Sequence, residues 1–197
     1  TRKGFSFSTR FERFDKESSS GLLGICLLCK DDIISSIGGT AKYTIELARG
    51  FAQDGHDVHV ITRGETPGDW MQEGISFHAV NEATADNFPE LADYPATNNN
   101  LRYSYAASQK ISELSRKYSI DIIESVLWDF EGAVPAEKFS DAIPVIIRLQ
   151  TPLLKVVETQ NWQLTDDLKV FSSFEKRMME HAYGIIPISD HIVETIS

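Results

Sequence analysis

Apolar positions along the 197-residue chain follow two alternating rhythms. The first is a short, nearly unbroken run, found at 22–29, 58–61, 120–127, 144–149 and 185–188. Such runs suit strands of a parallel sheet that is covered on both faces. The second is helical spacing. Ala41, Ile45, Ala48 and Ala52, widened by Leu47 and Phe51, share one face of a helix over 40–54, and Gly55 supplies a left-handed stop. Tyr103, Ala107, Ile111, Leu114 and Tyr118 mark a second helix over 101–118. Leu168, Phe171, Phe174 and Met178 mark a third over 165–182, with Thr165 as its N-cap. A short helix at 131–139 and another starting at Asp190 complete the set, and 75–80 reads as a short third strand.

Strand and helix alternate throughout, with no internal repeat. That order predicts an α/β fold with a doubly wound, mainly parallel, Rossmann-like sheet and right-handed crossovers. Residues 21–197 form one domain on this reading, and the polar segment 1–20 is a linker or tail, with a short edge strand conceivable at Phe5 and Phe7. Residues 63–74 are turn-rich. Residues 81–100, with Pro89, Pro95 and three consecutive asparagines, read as a long polar connection, and such connections are often functional.

Charge narrows the choice of partners. Nineteen Lys and Arg face 29 Asp and Glu, a net charge of -10, whereas a nucleic-acid or anionic-lipid surface calls for basic clusters. No apolar run is long enough to span a bilayer, and the signal-peptide order is absent, so a cytoplasmic location is expected. Cys26 and Cys29 spell C-x-x-C, but residues three apart on a strand point to opposite faces, which argues for core packing over a redox or metal pair.

In open α/β sheets ligands bind beyond the carboxyl ends of the strands. This rule selects four segments: 30–39, 128–132, 150–152 and 189–190. Gly38 and Gly39 precede a helix N-terminus, where backbone N–H groups can approach an anion, or where a loop simply needs positive φ. Neither the dinucleotide fingerprint nor the Walker pattern accompanies them. Asp31-Asp32 lacks the partners of a phospho-receiver site. His56 and His59 diverge, the other histidines are scattered, and no metal constellation is visible. Glu124, Asp129 and Glu131 are candidate acids at a strand end.

Gly38-Gly39, Leu47-Ala48, Phe51-Ala52 and Gly55-His56-Asp57-Val58 resemble, in order, the N-terminal domain of retaining GT-B glycosyltransferases of family 4, also called group 1. Asp121-Ile122-Ile123, the 144–149 strand, Phe174-Glu175-Lys176-Arg177 and the stretch from Ala182 to Ser189 extend the likeness over about residues 21–197. The resemblance implies one half of a GT-B enzyme, a hexosyltransferase-like glycosyltransferase of carbohydrate biosynthesis, with the C-terminal donor-binding domain absent and the isolated half inactive. It implies a nucleotide-sugar donor as substrate, a sugar or other hydroxyl acceptor, retention of configuration, and neither metal nor resident cofactor. Carried over by position, Gly38, Gly39 and Ser189 are donor-side residues. Trp128, Asp129, Glu131 and Thr151 lie on the acceptor side. Gln150 is the catalytic candidate, standing where many members carry a His beside the reacting sugar. That departure keeps open a second class, a non-catalytic interaction or regulatory module with the same fold, and a third, a small-molecule-binding flavodoxin-like domain. Residues 63–74, 81–100 and 150–161 are the expected specificity loops, with Trp70 and Trp162 either stacking on sugar or packing beneath a loop.

Overall fold

The computed structural model describes residues 21–33, 38–82 and 88–196. The proposed tail at 1–20 lies outside them. The elements run β1 (Gly24–Cys29), α1 (Gly39–Gln53), β2 (Asp57–Arg63), β3 (Gly68–Gln72), β4 (Ile75–Val80), α2 (Pro95–Leu114), β5 (Ile122–Val126), α3 (Ala133–Phe139), β6 (Val145–Leu149), α4 (Leu153–Thr159), α5 (Asp166–His181), β7 (Gly184–Pro187) and α6 (Asp190–Ile196). Two 3-10 turns lie at Pro89–Leu91 and Trp128–Phe130.

The seven strands are ordered β3-β4-β2-β1-β5-β6-β7, all parallel except the β3–β4 pair. The parallel strands alone, counted in chain order, give 3-2-1-4-5-6, the Rossmann order whose direction of growth reverses between the first and fourth. In this chain the reversal falls between β1 and β5.

Every residue of β1 is buried, because both faces of the sheet are covered. Ile25, Leu27 and Cys29 face one cluster with Val58, Val60 and Phe77 under α1. Cys26 and Leu28 face the larger cluster with Leu101, Ile111, Phe130, Phe139 and Met178 under α2, α3 and α5. The two cysteines therefore occupy opposite faces, both free and buried, with thiol pKa values raised by burial. The helix ends match their sequence signals. Gly55 has φ +89°, and the His56 and Gly55 N–H groups reach back to the Phe51 and Ala52 carbonyls, a Schellman stop. The Thr165 hydroxyl accepts the Leu168 N–H at 3.2 Å.

Three segments depart from the sequence reading. The turn-rich stretch 63–74 contains the antiparallel strand β3, joined to β4 through Glu73 (φ 53°) and Gly74 (φ 77°), the two left-handed residues a tight hairpin needs. The end of the connection 81–100 is helical from Pro95 onward, where α2 starts. The Asp167 carboxylate, 71 residues away from Ala96, accepts the Ala96 and Thr97 N–H groups at 2.9 and 3.1 Å and holds that start. Residues 153–159 form α4 rather than loop. The histidines are also less scattered than expected. His59 Nδ1 and His78 Nε2 are 3.0 Å apart, and His78 Nδ1 lies 3.0 Å from Asp69, which Lys110 also contacts. Trp70 stacks on Phe77 at 5.2 Å and belongs to the core, whereas Trp162 is exposed.

Strand β7 is the sheet's outer edge among the described residues, and Tyr183, Ile186 and Ile188 around it are 76%, 56% and 55% exposed. No described helix is long and apolar enough to cross a membrane.

Two outcomes follow from this packing. A Cβ at Gly24 would sit 1.6 Å from the Ser119 carbonyl oxygen, where β1 meets the chain entering β5. Gly24→Ala should cost about 3 kcal/mol or more, or abolish folding, as read by urea unfolding. His59 and His78 both have pKa values below the ordinary histidine value, chiefly through burial. The unfolded chain takes up those protons at about pH 6.5 while the folded chain resists, so this contribution is complete above that pH and is lost on acidification. In His78→Gln, unfolding midpoints at pH 7.5 and 5.5 should show a smaller acid-side loss than in the parent; an equal or larger loss contradicts the assignment.

Candidate functional site

The reversal point of the sheet is closed by charge. Lys30 follows the last residue of β1, and Asp129 lies in the 3-10 turn after β5. Lys30 Nζ contacts Asp129 Oδ2 at 2.6 Å with both side chains largely shielded. Asn100 of α2 completes the triad, accepting from Lys30 and donating to Asp129 Oδ1 at 3.3 Å. This bonding supports an unusual backbone. Asp129 and Phe130 are both left-handed, at φ 58° and 39°, a conformation aspartate tolerates and phenylalanine seldom adopts. Phe130 is held there by aromatic packing, with ring centroids 4.7 Å from Phe171 and 5.3 Å from Phe174 of α5. The turn leaves Trp128 partly exposed and carries Glu131 inward, to 3% exposure.

Glu131 is the most perturbed acid of the site. Burial pushes its carboxyl up to about 8; the Lys30 backbone N–H works against that shift, and the nearby Asp129 charge adds to it. Its Oε2 has no protein partner. Burial thus favours the protonated form of this acid, whereas Asp129 is ion-paired with Lys30.

A second ionic group lies on the α1 face of the sheet. Glu124 of β5 pairs with Arg148 of β6, and the Arg148 guanidinium stacks 3.6 Å from the ring centre of Tyr43 in α1. Burial raises Glu124 to about 7, with Arg148 opposing. The stack ties the beginning of α1 to the carboxyl end of β6, where Gln150 and Thr151 follow, half-buried. Gln150 Oε1 is shielded from solvent without a partner. Gly38 is the N-cap of α1 (φ -65°, ψ 154°) and Gly39 its first residue, so neither is there to provide positive φ. As a glycine, the N-cap offers no side chain to the first N–H groups of α1, and the first turn carries no acid. Gly39 is exposed, with open space around a would-be Cβ. Ser189 is exposed beyond β7, its carbonyl accepting the Ile192 N–H at 3.1 Å.

The candidates from sequence thus stand at the carboxyl ends of β1, β5, β6 and β7. Direct contacts join Asp129 and Glu131 to Lys30. Ser189 makes no described contact with that cluster. Lys30, Asn100, Tyr43 and Arg148 were not singled out from sequence, and Glu175 was noted only as part of a family motif, with no role. A charged residue inside an apolar strand was a readable signal for Arg148, since such a residue needs a partner on a neighbouring strand. A groove of about 280 Å³ between α1 and the β3–β4 hairpin, lined by Ile45, Arg49, Trp70 and Glu73 among others, contains none of the donor-side, acceptor-side or catalytic candidates. No group of three or more His, Cys, Asp or Glu among the described residues is arranged to hold a metal ion.

The Glycosyltransferase Family 4 model matches residues 37–197, and the chain belongs to that family. No curated protein matches it. Among solved structures it is similar to a sucrose-phosphate synthase from Thermosynechococcus elongatus, at 15% identity and a TM-score of 0.58 over 83% of this chain. It is also similar to apo UGT2 from Phytolacca americana, at 10% identity and a TM-score of 0.55 over 84% of this chain. The fold is accordingly that of a GT-B N-terminal domain. The chain spans 41% and 46% of those two proteins' lengths.

The Glu131 proton sets a pH dependence. The unfolded chain ionises this group near the ordinary glutamate value, while the folded chain keeps the proton up to about pH 8. Between those limits the folded state binds more protons, so its stability falls as pH rises. Glu131→Gln should flatten that fall, measured as urea midpoints at pH 5.5 and 8; an unchanged slope in the variant contradicts the assignment.

Proposed function

We propose that this domain contributes the acceptor side, and part of the donor side, of a glycosyl transfer from a nucleotide sugar with retention of configuration. The observation that carries this reading is the start of α1. It is a 15-residue helix beside the sheet's reversal point, opening on two glycines, with a glycine N-cap that has no side chain to cap it and no acid in its first turn. First-turn N–H groups and the helix dipole favour an anion there, which suits a donor diphosphate. Gly38 and Gly39 would meet the diphosphate or sugar, with Ser189 at the rim of the same crevice. Trp128, Asp129, Glu131 and Thr151 would shape the acceptor position. Gln150 would hydrogen-bond a hydroxyl of the reacting sugar, in the place where an imidazole is common. No metal takes part on this reading; rate comes from positioning and from stabilising the leaving diphosphate.

Titration of the ¹⁵N-labelled chain with UDP-, GDP- and ADP-glucose tests this. One of the three should shift the Gly39 amide and residues 128–132, with weak affinity on the order of millimolar. Gly39→Val should remove the response. If no nucleotide sugar perturbs these residues at saturating concentration, the non-catalytic module becomes the better reading.

A further inference from the structure

Glu175 lies in the middle of α5 and is only 2% exposed. A carboxyl so deeply shielded is costly unless it is bonded. Its Oε2 accepts the N–H of Leu153 at 2.9 Å. Leu153 opens α4, and the first N–H groups of a helix have no partner within the helix. The N-cap of α4 is Pro152, which has no side-chain acceptor. Glu175 therefore supplies from another helix the cap that the local sequence lacks.

The same helix braces the other wall of the crevice. Phe171 and Phe174, both in the turn of α5 that precedes Glu175, pack against Phe130 in the left-handed turn after β5. One element thus holds the 128–132 turn by aromatic contact and the 150–152 turn by a hydrogen bond. Burial pushes the Glu175 carboxyl up to about 7, with the Asp129 charge contributing, and the Leu153 N–H opposes the shift. Glu175 Oε1 has no protein partner, so the Leu153 bond is the interaction that accounts for an acid here.

We propose that Glu175 is a positioning residue: by holding the Leu153 amide it sets the 150–152 turn, and with it Gln150, against the Trp128–Glu131 wall. Its consequence for sugar transfer rests on the reading above. Its effect on the turn does not.

The test is amide hydrogen exchange and ¹⁵N spectra of the chain carrying Glu175→Leu, Glu175→Gln or Phe174→Leu. In Glu175→Leu the Leu153 amide should exchange about tenfold faster or more, in line with loss of a hydrogen bond to a carboxylate. The Thr151 amide and the Gln150 side-chain amide should shift. Glu175→Gln keeps an acceptor oxygen and should leave these signals near the parent's. Phe174→Leu should lower the melting temperature without moving them, which separates positioning from bulk destabilisation. Should Glu175→Leu fail to fold, the parent itself decides, because the Leu153 amide, though first in its helix, must be protected from exchange by its acceptor. Unchanged Leu153 exchange in Glu175→Leu, equal shifts in Phe174→Leu, or a parent Leu153 amide that exchanges as freely as an unbonded one overturns the proposal. Failure of the sugar-transfer reading looks different: Gln150→Ala and Glu175→Leu would both leave the nucleotide-sugar response intact while the Leu153 effect persisted.

Discussion

The full burial of β1 is the constraint from which the rest of the structure follows. A strand with no exposed residue must have helices on both faces and strands on both edges. Its alternating side chains divide the interior into two clusters, one under α1 and one under α2, α3 and α5. The two sulfurs are separated by the same alternation. Because β1 is central, the sheet grows outward from it in both directions, and its carboxyl end becomes the place where the connections part.

A crevice at that point needs its charges balanced, and the chain does so with few cations. Lys30 neutralises Asp129, and Arg148 neutralises Glu124. Glu131 and Glu175 have no cation within an ion pair, and burial shifts both toward the protonated form. The four acids therefore divide into two with a cationic partner and two held by backbone N–H groups. This division limits mutual repulsion in a chain of net charge -10, around a turn whose Asp129 and Phe130 are both left-handed.

How much of this was legible depended on whether the cause of a structure lay nearby in the chain. The buried strands, the Gly55 stop and the Thr165 cap are local effects of apolar runs, of a residue that tolerates positive φ and of a hydroxyl at a helix start; all were readable. Strand β3 has one partly covered side chain, Trp70, and four exposed neighbours, so its pattern is silent and only pairing with β4 makes it a strand. The first turn of α2 is polar and is held by Asp167, and α4, whose N-cap is a proline, has its Leu153 N–H taken by Glu175; both supports come from far along the chain. The rule about carboxyl ends selected segments that do stand at the strand ends, with Asp129 and Glu131 in the turn after β5. The partners of Asp129 were not legible, because Lys30 and Asn100 gain meaning only from the order in which the elements assemble. Family membership is consistent with the motifs quoted from sequence, although each is short and only their order is distinctive.

The exposed rim at β7 has a practical meaning for the chain in solution. An edge with no neighbouring strand among the described residues, flanked by Tyr183, Ile186 and Ile188, offers both backbone groups and apolar surface to any extended segment that meets it. Protein concentration is then a thermodynamic variable in its own right, because two molecules meeting edge to edge would continue each other's sheet. Dilution series belong beside every binding or unfolding curve recorded on this chain, since an apparent affinity or midpoint that drifts with concentration would report that encounter rather than the crevice at the other end of the strands' logic.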